Sequence, residues 1–115
     1  MSFRDELKNK IVSARDTVKS DAIVAFVDFL KLEMSKSANE GRSKGDILLE
    51  GLIEDEYEPI FCKLKEVLLI TEEITDSESD EWFCWLLKTV KKIDIFEGIS
   101  MIIDRENGCL NWYIE

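Results

Sequence analysis

The side chains best equipped for chemistry in this chain are its carboxylates, and they are concentrated in one stretch. Residues 46–81 hold thirteen Asp and Glu against two Lys, a net charge of −11, whereas the residues before and after this stretch carry +2 and −1. Ten of the carboxylates form two clusters, within residues 54–58 and 72–81. They are Glu54, Asp55, Glu56, Glu58, Glu72, Glu73, Asp76, Glu78, Asp80 and Glu81.

Two interpretations of these clusters remain open. Carboxylates are favoured at helix N-termini and on solvated surfaces, which accounts for some of them. Placing more carboxylates together than these two roles require is unfavourable, because neighbouring like charges repel in the folded state. The excess predicts a surface that binds an Arg- and Lys-rich site on a partner protein and accelerates encounter with it.

Other chemistries find little support. The chain has no His, which excludes Ser-His-Asp and Cys-His sites and imidazole metal ligands. Residues 76–81 alternate oxygen ligands but lack the mid-loop Gly and the twelfth-position Glu of an EF-hand. The three Cys are an odd number without close pairs, as expected of reduced thiols rather than of a disulfide framework or a zinc site. We therefore expect no catalytic residue, metal or cofactor. A small carboxylate enzyme is a further alternative, which requires a deep cleft with inward-facing Asp or Glu.

Length and composition indicate one globular domain, residues 1–115, because a chain with 45% apolar residues can form a core at this common domain size. No run of about 18 apolar residues is present, so no membrane span is expected. The N-terminus turns polar at once and lacks the apolar run of a signal peptide. The expected location is therefore the cytoplasm.

The elements that position the carboxylates are mainly helices. An apolar stripe at helical spacing, capped by Ser2, predicts a helix over residues 3–19. Residues 21–36 continue as a helix, either unbroken or kinked at Ser20-Asp21. Because residues 21–34 are apolar on several sides, they are expected in the core or in a homodimer interface. The stripe consists of Phe3, Leu7, Ile11, Ala14 and Val18, and the cations Arg4, Lys8, Lys10, Arg15 and Lys19 are expected to face away from it.

Two further helices flank the acidic clusters. Pro59 suits the first turn of a helix that ends near Ile70. Thr75 and Glu78 match a capping box for a helix from about 77 to 92, with acidic residues at its start and Lys at its end. Residues 46–53 are ambiguous: they favour a helix from Ser43 to Tyr57, and a third strand is the alternative.

The C-terminus predicts a β-hairpin, because Asn107-Gly108 is a strong turn signal between alternating apolar residues. A two-residue loop pairs Ile103 with Trp112, and a four-residue loop pairs Ile103 with Leu110. Both put one apolar face on the helices. The predicted fold is thus α+β: a small, mostly helical domain of three to five helices with a C-terminal antiparallel hairpin packed on them.

In length and charge the chain resembles cytosolic inhibitor proteins, such as immunity proteins and phage anti-defence proteins, although no family motif is present. The resemblance implies a non-catalytic inhibitor that acts as a nucleic-acid mimic. Its carboxylates would dock on a basic site of a partner protein, without binding nucleic acid or membrane itself. The alternative is a structural or adaptor protein that acts through an apolar helical interface, as a homodimer through residues 21–34.

Overall fold

The protein folds as three α-helices and a three-stranded antiparallel sheet, in a computed structural model that describes residues 2–76 and 81–115. The predicted α+β class with a C-terminal hairpin is confirmed. In chain order the elements are α1 (Phe3–Asn39), β1 (Lys44–Leu48), two 3₁₀ turns (Leu49–Ile53 and Asp55–Tyr57), α2 (Glu58–Ile70), α3 (Glu81–Lys91), a third 3₁₀ turn (Asp94–Phe96), β2 (Ile99–Asp104) and β3 (Cys109–Ile114).

Helix α1 passes through Ser20-Asp21 without a break, so the two predicted helical stretches form one helix. The Ser2 side chain caps its start by accepting a hydrogen bond of 3.3 Å from the backbone N–H of Asp5. At its end, Gly41 has a φ of +82°, the left-handed conformation that closes many helices. A helix of 37 residues is about 55 Å long, which accounts for the longest dimension of the molecule, 59 Å.

The core lies against the second half of α1. Its first fully buried residue is Ala22, and Phe26 and Leu30 are 1% and 0% exposed. Residues 21–34 therefore bury most of their apolar side chains inside their own chain, and Val24 and Leu32 are their large apolar residues that remain exposed. The side chains that α2, α3 and the sheet contribute to this core include Phe61, Leu64, Leu68, Trp82, Leu86, Val90, Met101, Leu110 and Trp112.

Residues 46–53 are neither one helix nor one strand. The favoured helix from Ser43 to Tyr57 is wrong, because residues 44–48 form β1, which pairs with β3. Ile47 is buried opposite Leu110 in this pair, an arrangement that no local pattern reveals. The third-strand alternative is correct for residues 46–48, and the chain then turns into a 3₁₀ segment.

The C-terminal hairpin has the four-residue loop of the two predicted registers, with Ile103 opposite Leu110 and Met101 opposite Trp112. The Asp104 carboxylate pins the loop by accepting hydrogen bonds from the Asn107 side chain (2.8 Å) and from the backbone N–H groups of Glu106 and Asn107. These bonds, that of the Asn107 side chain first, lower the pKa of Asp104. β3 is the central strand, in the order β1-β3-β2.

Candidate functional site

The carboxylates predicted to bind a partner lie at the two ends of α2. Glu54, Glu56 and Glu58 surround its start and are exposed. Glu72, Glu73, Asp76 and Glu81 lie where the chain leaves α2 and enters α3; we call this second group the α2–α3 corner. Thirteen helical residues separate the groups by about 20 Å. The Asp55 side chain and the predicted residues Glu78 and Asp80 lie outside the described part of the structure, as does the predicted Thr75–Glu78 capping box.

Glu72 occupies an unfavourable backbone position at this corner. Its φ is +59°, and it is the only non-glycine residue with a positive φ in residues 2–76 and 81–115. The N–H groups of Glu72 and Glu73 donate to the carbonyls of Leu69 and Leu68, which closes α2 in the way a glycine usually does. A side chain in this conformation costs roughly 1–2 kcal/mol, and a negative charge at a helix C-terminus is disfavoured by the macrodipole.

Glu73 is tied to α1. Its carboxylate lies 2.7 Å from the Lys19 ammonium and accepts a 2.7 Å hydrogen bond from the Thr71 hydroxyl. The Lys19 hydrogen bond is the main cause that lowers the pKa of Glu73, with Thr71 and the Trp85 side chain contributing. The Lys19 ammonium also lies 5.8 Å from the Trp85 ring centroid. Glu73 therefore links the end of α2 to α1.

Glu81 holds the connection between α2 and α3. Its carboxylate accepts hydrogen bonds from the backbone N–H of Thr75 (2.6 Å), the Thr75 hydroxyl (2.8 Å) and the backbone N–H of Asp76 (3.1 Å). These bonds, the Thr75 backbone bond first, lower the pKa of Glu81, so it stays ionised at neutral pH. Both Glu73 and Glu81 thus have structural partners, whereas the described residues provide no hydrogen bond or ion pair for the Glu72 carboxylate.

A third acidic surface was missed by the sequence analysis. Asp21 and Asp28 of α1 and Glu56 border a groove of about 440 Å³ between α1 and the start of α2, which we call the α1–α2 groove. Its apolar lining is Val24, Ala25, Tyr57 and Ile60. Asp21 and Asp28 fall outside the acidic stretch of the sequence. Their spacing of seven residues, two helical turns, was the available signal that they share a face.

The interior is formed by apolar residues in the described part of the chain, where the Trp112 indole N–H is a buried polar group without a hydrogen-bond partner. None of its buried residues is polar or charged, and no cluster of three His, Cys, Asp or Glu there is arranged to hold a metal ion. Trp82, Phe83 and Trp112 are buried, whereas Tyr113 is 47% exposed. Of the three Cys, Cys109 is buried, Cys84 is partly buried and Cys62 is exposed. Within residues 2–76 and 81–115, no helix combines the length and apolar character needed to cross a bilayer.

These features define a small α+β protein with an apolar interior and carboxylates at both ends of one surface helix. Comparisons with protein-family models, with curated proteins and with solved structures find no match to this chain. Its function must therefore be argued from its own surface.

Replacing Glu72 with Gly should raise the free energy of unfolding by about 1 kcal/mol, because it relieves the left-handed strain and removes a charge from a helix C-terminus. Urea denaturation measures the change. Glu72→Gln removes the charge but keeps the backbone strain, so it should recover only a small part of the gain. Glu66→Gly, within α2, is the matched control and should lower stability by roughly 1 kcal/mol. If Glu72→Gly destabilised the protein, the strain at this position would be disproved.

Proposed function

We propose that the protein is a non-catalytic inhibitor that docks its carboxylates on a basic site of a partner protein and blocks that site. The observation that carries the proposal is Glu72, an exposed carboxylate at a position where both the backbone and the helix dipole disfavour it. Local rules are commonly broken where function requires it. Folding alone gives no reason for a glutamate there.

The two ends of α2 support the proposal unequally. Glu54, Glu56 and Glu58 lie near a helix N-terminus, where the dipole favours anions, so folding itself accounts for part of that group. Glu72 and Glu73 lie at the opposite end, where the dipole opposes them. We therefore expect the α2–α3 corner to be the main contact and the start of α2 a second contact about 20 Å away.

The partner site that fits this surface is rich in Arg and Lys, as nucleic-acid-binding sites are. Carboxylates separated by one helix can replace phosphates on such a surface and thereby exclude nucleic acid. Inhibitors of the immunity-protein or phage anti-defence type work in this way, in the cytoplasm, and we assign the protein to that functional class.

The proposal is tested by affinity capture from a lysate of the source organism, with three forms of the protein as bait. These are the wild type, a site variant (Glu54→Lys, Glu58→Lys and Glu72→Lys) and a control variant (Glu97→Lys, Glu106→Lys and Glu115→Lys). All six residues are exposed, and both variants change the net charge equally. We expect a basic protein that the wild type and the control retain and the site variant loses, because only the site variant alters the docking surface.

Two results would overturn the proposal. One is equal loss of capture in both variants, which would show that net charge and not the α2 surface governs binding. The other is retention by the site variant of every protein that the wild type captures. A purified partner should also lose its nucleic-acid binding when the wild type is added, and an unaffected partner would exclude blocking.

A second candidate is a structural or adaptor protein that acts through an apolar helical interface, as a homodimer. The observation in its favour lies on α1, where Phe3, Leu7 and Ile11 are 70%, 43% and 47% exposed. Within residues 21–34, Val24 and Leu32 add exposed apolar surface. Because Phe26 and Phe29 are buried in the chain's own core, substitutions there test folding rather than association.

A further inference from the structure

Within residues 2–76 and 81–115, no other element of the chain covers the N-terminal part of α1. Residues 2–14 are all exposed, and we call residues 3–18 the arm. At 1.5 Å per residue the arm is about 24 Å long. A lone helix of this length is marginal in water, since most helical stability in proteins comes from packing an apolar face. The arm therefore indicates an interface.

The apolar stripe of the arm continues the stripe that packs in the core. The spacing is four, four and three residues, repeated from Phe3 to Phe29, which keeps one face in line. Ala22, Ala25 and Phe29 follow it into the core and are 0%, 9% and 7% exposed. The same face, once it leaves the chain's own body, is presented to solvent by Phe3, Leu7, Ile11 and Ala14, whereas Val18 is partly buried against the core.

Cations border this stripe. By helical position, Arg4, Lys8 and Arg15 form a row along one side of it, and Lys10 lies on the other side. Residues 2–19 contain five cations and three carboxylates, a net charge of +2, so the remainder of the chain carries −12. The arm is the positively charged, apolar part of an acidic molecule.

The α1–α2 groove has the opposite character. Val24, which is 60% exposed, lies in its lining, and Asp21, Asp28 and Glu56 border it. In the part of the chain that the structure describes, no hydrogen bond or ion pair engages these three carboxylates. An apolar groove with an acidic border fits an apolar helix with a cationic border.

We propose that two copies of the chain form a symmetric dimer in which the arm of each lies in the α1–α2 groove of the other. The two α1 helices run antiparallel, so Leu7 of one copy packs on Val24 of its partner and Phe3 reaches Ala25, Tyr57 and Ile60. Lys10 meets Asp21, and Arg4 and Lys8 meet Asp28 and Glu56. The contact is isologous, because each copy provides one arm and one groove.

The surface available corresponds to a weak, reversible dimer. Pairing Leu7 with Val24 brings residues 3–28 of the two α1 helices together, two surfaces each about 39 Å long and ~10 Å wide, or about 800 Å² in total, to which Tyr57 and Ile60 of each groove add. Interfaces of this size are typical of transient complexes. With α2 beside each α1, the dimer interface becomes a layer of four helices, the arrangement in which amphipathic helices usually bury their apolar faces.

Analytical ultracentrifugation and light scattering of the full chain test the dimer. We expect a dimer for the wild type at micromolar concentration. Leu7→Glu in the arm and Val24→Glu in the groove should each weaken it at least about 30-fold, because each places a charge in the apolar centre of the contact. Val12→Glu is the matched control: Val12 is 57% exposed on the opposite side of the arm, and its substitution should leave the dimer intact. Circular dichroism verifies that each variant remains folded.

A charge exchange identifies the groove. Asp21→Lys and Lys10→Glu should each weaken the dimer, and the double variant should restore it at least in part. A dimer that Leu7→Glu breaks but Val24→Glu leaves intact would show that the arms pair with each other, which overturns the groove assignment. A wild-type monomer at 100 µM, or one that instead binds vesicles containing phosphatidylglycerol, would overturn the dimer itself.

The dimer shares one residue with the proposed docking surface, Glu56, which it covers. It leaves Glu72, the residue on which the proposed function rests, outside the groove at the far end of α2. Leu7→Glu should therefore yield a monomer that still captures the basic partner. The site variant should fail to capture the basic partner but should still form the dimer. Each proposal can therefore fail without the other.

Discussion

Phe61→Ala should lower the free energy of unfolding by about 3–5 kcal/mol, a large part of the ~5–15 kcal/mol expected for a domain of this size. Phe61 is 1% exposed, and its ring centroid lies 5.5 Å from that of Trp82 and 6.4 Å from that of Tyr57. It thus joins α2 to α3 and to the turn that precedes α2. Truncation removes buried apolar surface and leaves a cavity that this aromatic cluster cannot fill without moving.

Urea denaturation followed by tryptophan fluorescence measures this loss, since Trp82 contacts the substituted position. Ile70→Ala, on the same helix, is the control: Ile70 is 63% exposed, and its truncation should change stability by no more than about 0.5 kcal/mol. Low protein concentration keeps self-association from contributing to the measured stability. A loss below about 1 kcal/mol in Phe61→Ala, or equal losses at both positions, would contradict the core described here.

Local signals in the sequence were sufficient to predict those helix ends and turns that are determined by the residues located there. Pro59 starts α2, Asn107-Gly108 closes the hairpin, and Ser2 caps α1. Each of these residues acts on the backbone within a few positions, so its effect does not depend on the rest of the fold. The alternation of apolar residues likewise gave the buried face of the hairpin, while the choice between loop lengths required Asp104, whose carboxylate binds the loop.

Features that depend on distant partners could not be predicted. β1 exists because β3 lies beside it, and its five residues alone are equally compatible with a helix. Periodicity identified the stripe from Phe3 to Val18 as one face of a helix. It could not show whether another element covers that face, because the spacing of apolar residues does not identify what packs against them. The arm is thus the clearest case in which sequence and structure together, and neither alone, indicate an interface.

The candidate site shows the same limit. Sequence proximity made residues 54–58 and 72–81 one acidic stretch, yet α2 separates its described parts by about 20 Å. The left-handed backbone of Glu72 had no sequence signal, since glutamate does not favour that conformation. Asp21 and Asp28 escaped notice because they join Glu56 only when α1 packs beside α2.

The association rate constant of the protein with its captured partner should fall at least about tenfold between 0.1 and 1 M NaCl, because docking through exposed carboxylates depends on long-range attraction. Salt reduces the screening length from about 10 Å to about 3 Å over this range. The distance of about 20 Å between the two ends of α2 exceeds both lengths. Each group should therefore attract the partner nearly independently at both salt concentrations.

Stopped-flow or biosensor kinetics with wild type and two single-group variants measure these contributions. Glu72→Lys should lower the association rate and flatten its salt dependence more than Glu58→Lys does, because Glu58 also serves the N-terminus of α2. Glu97→Lys, an exposed substitution away from α2, should leave the salt dependence close to that of the wild type. Dissociation rates should change less with salt than association rates, since steering acts before contact. Association that is equally fast at both salt concentrations would mean that the carboxylates of α2 do not guide the partner, and the protein would then have to bind it through another surface.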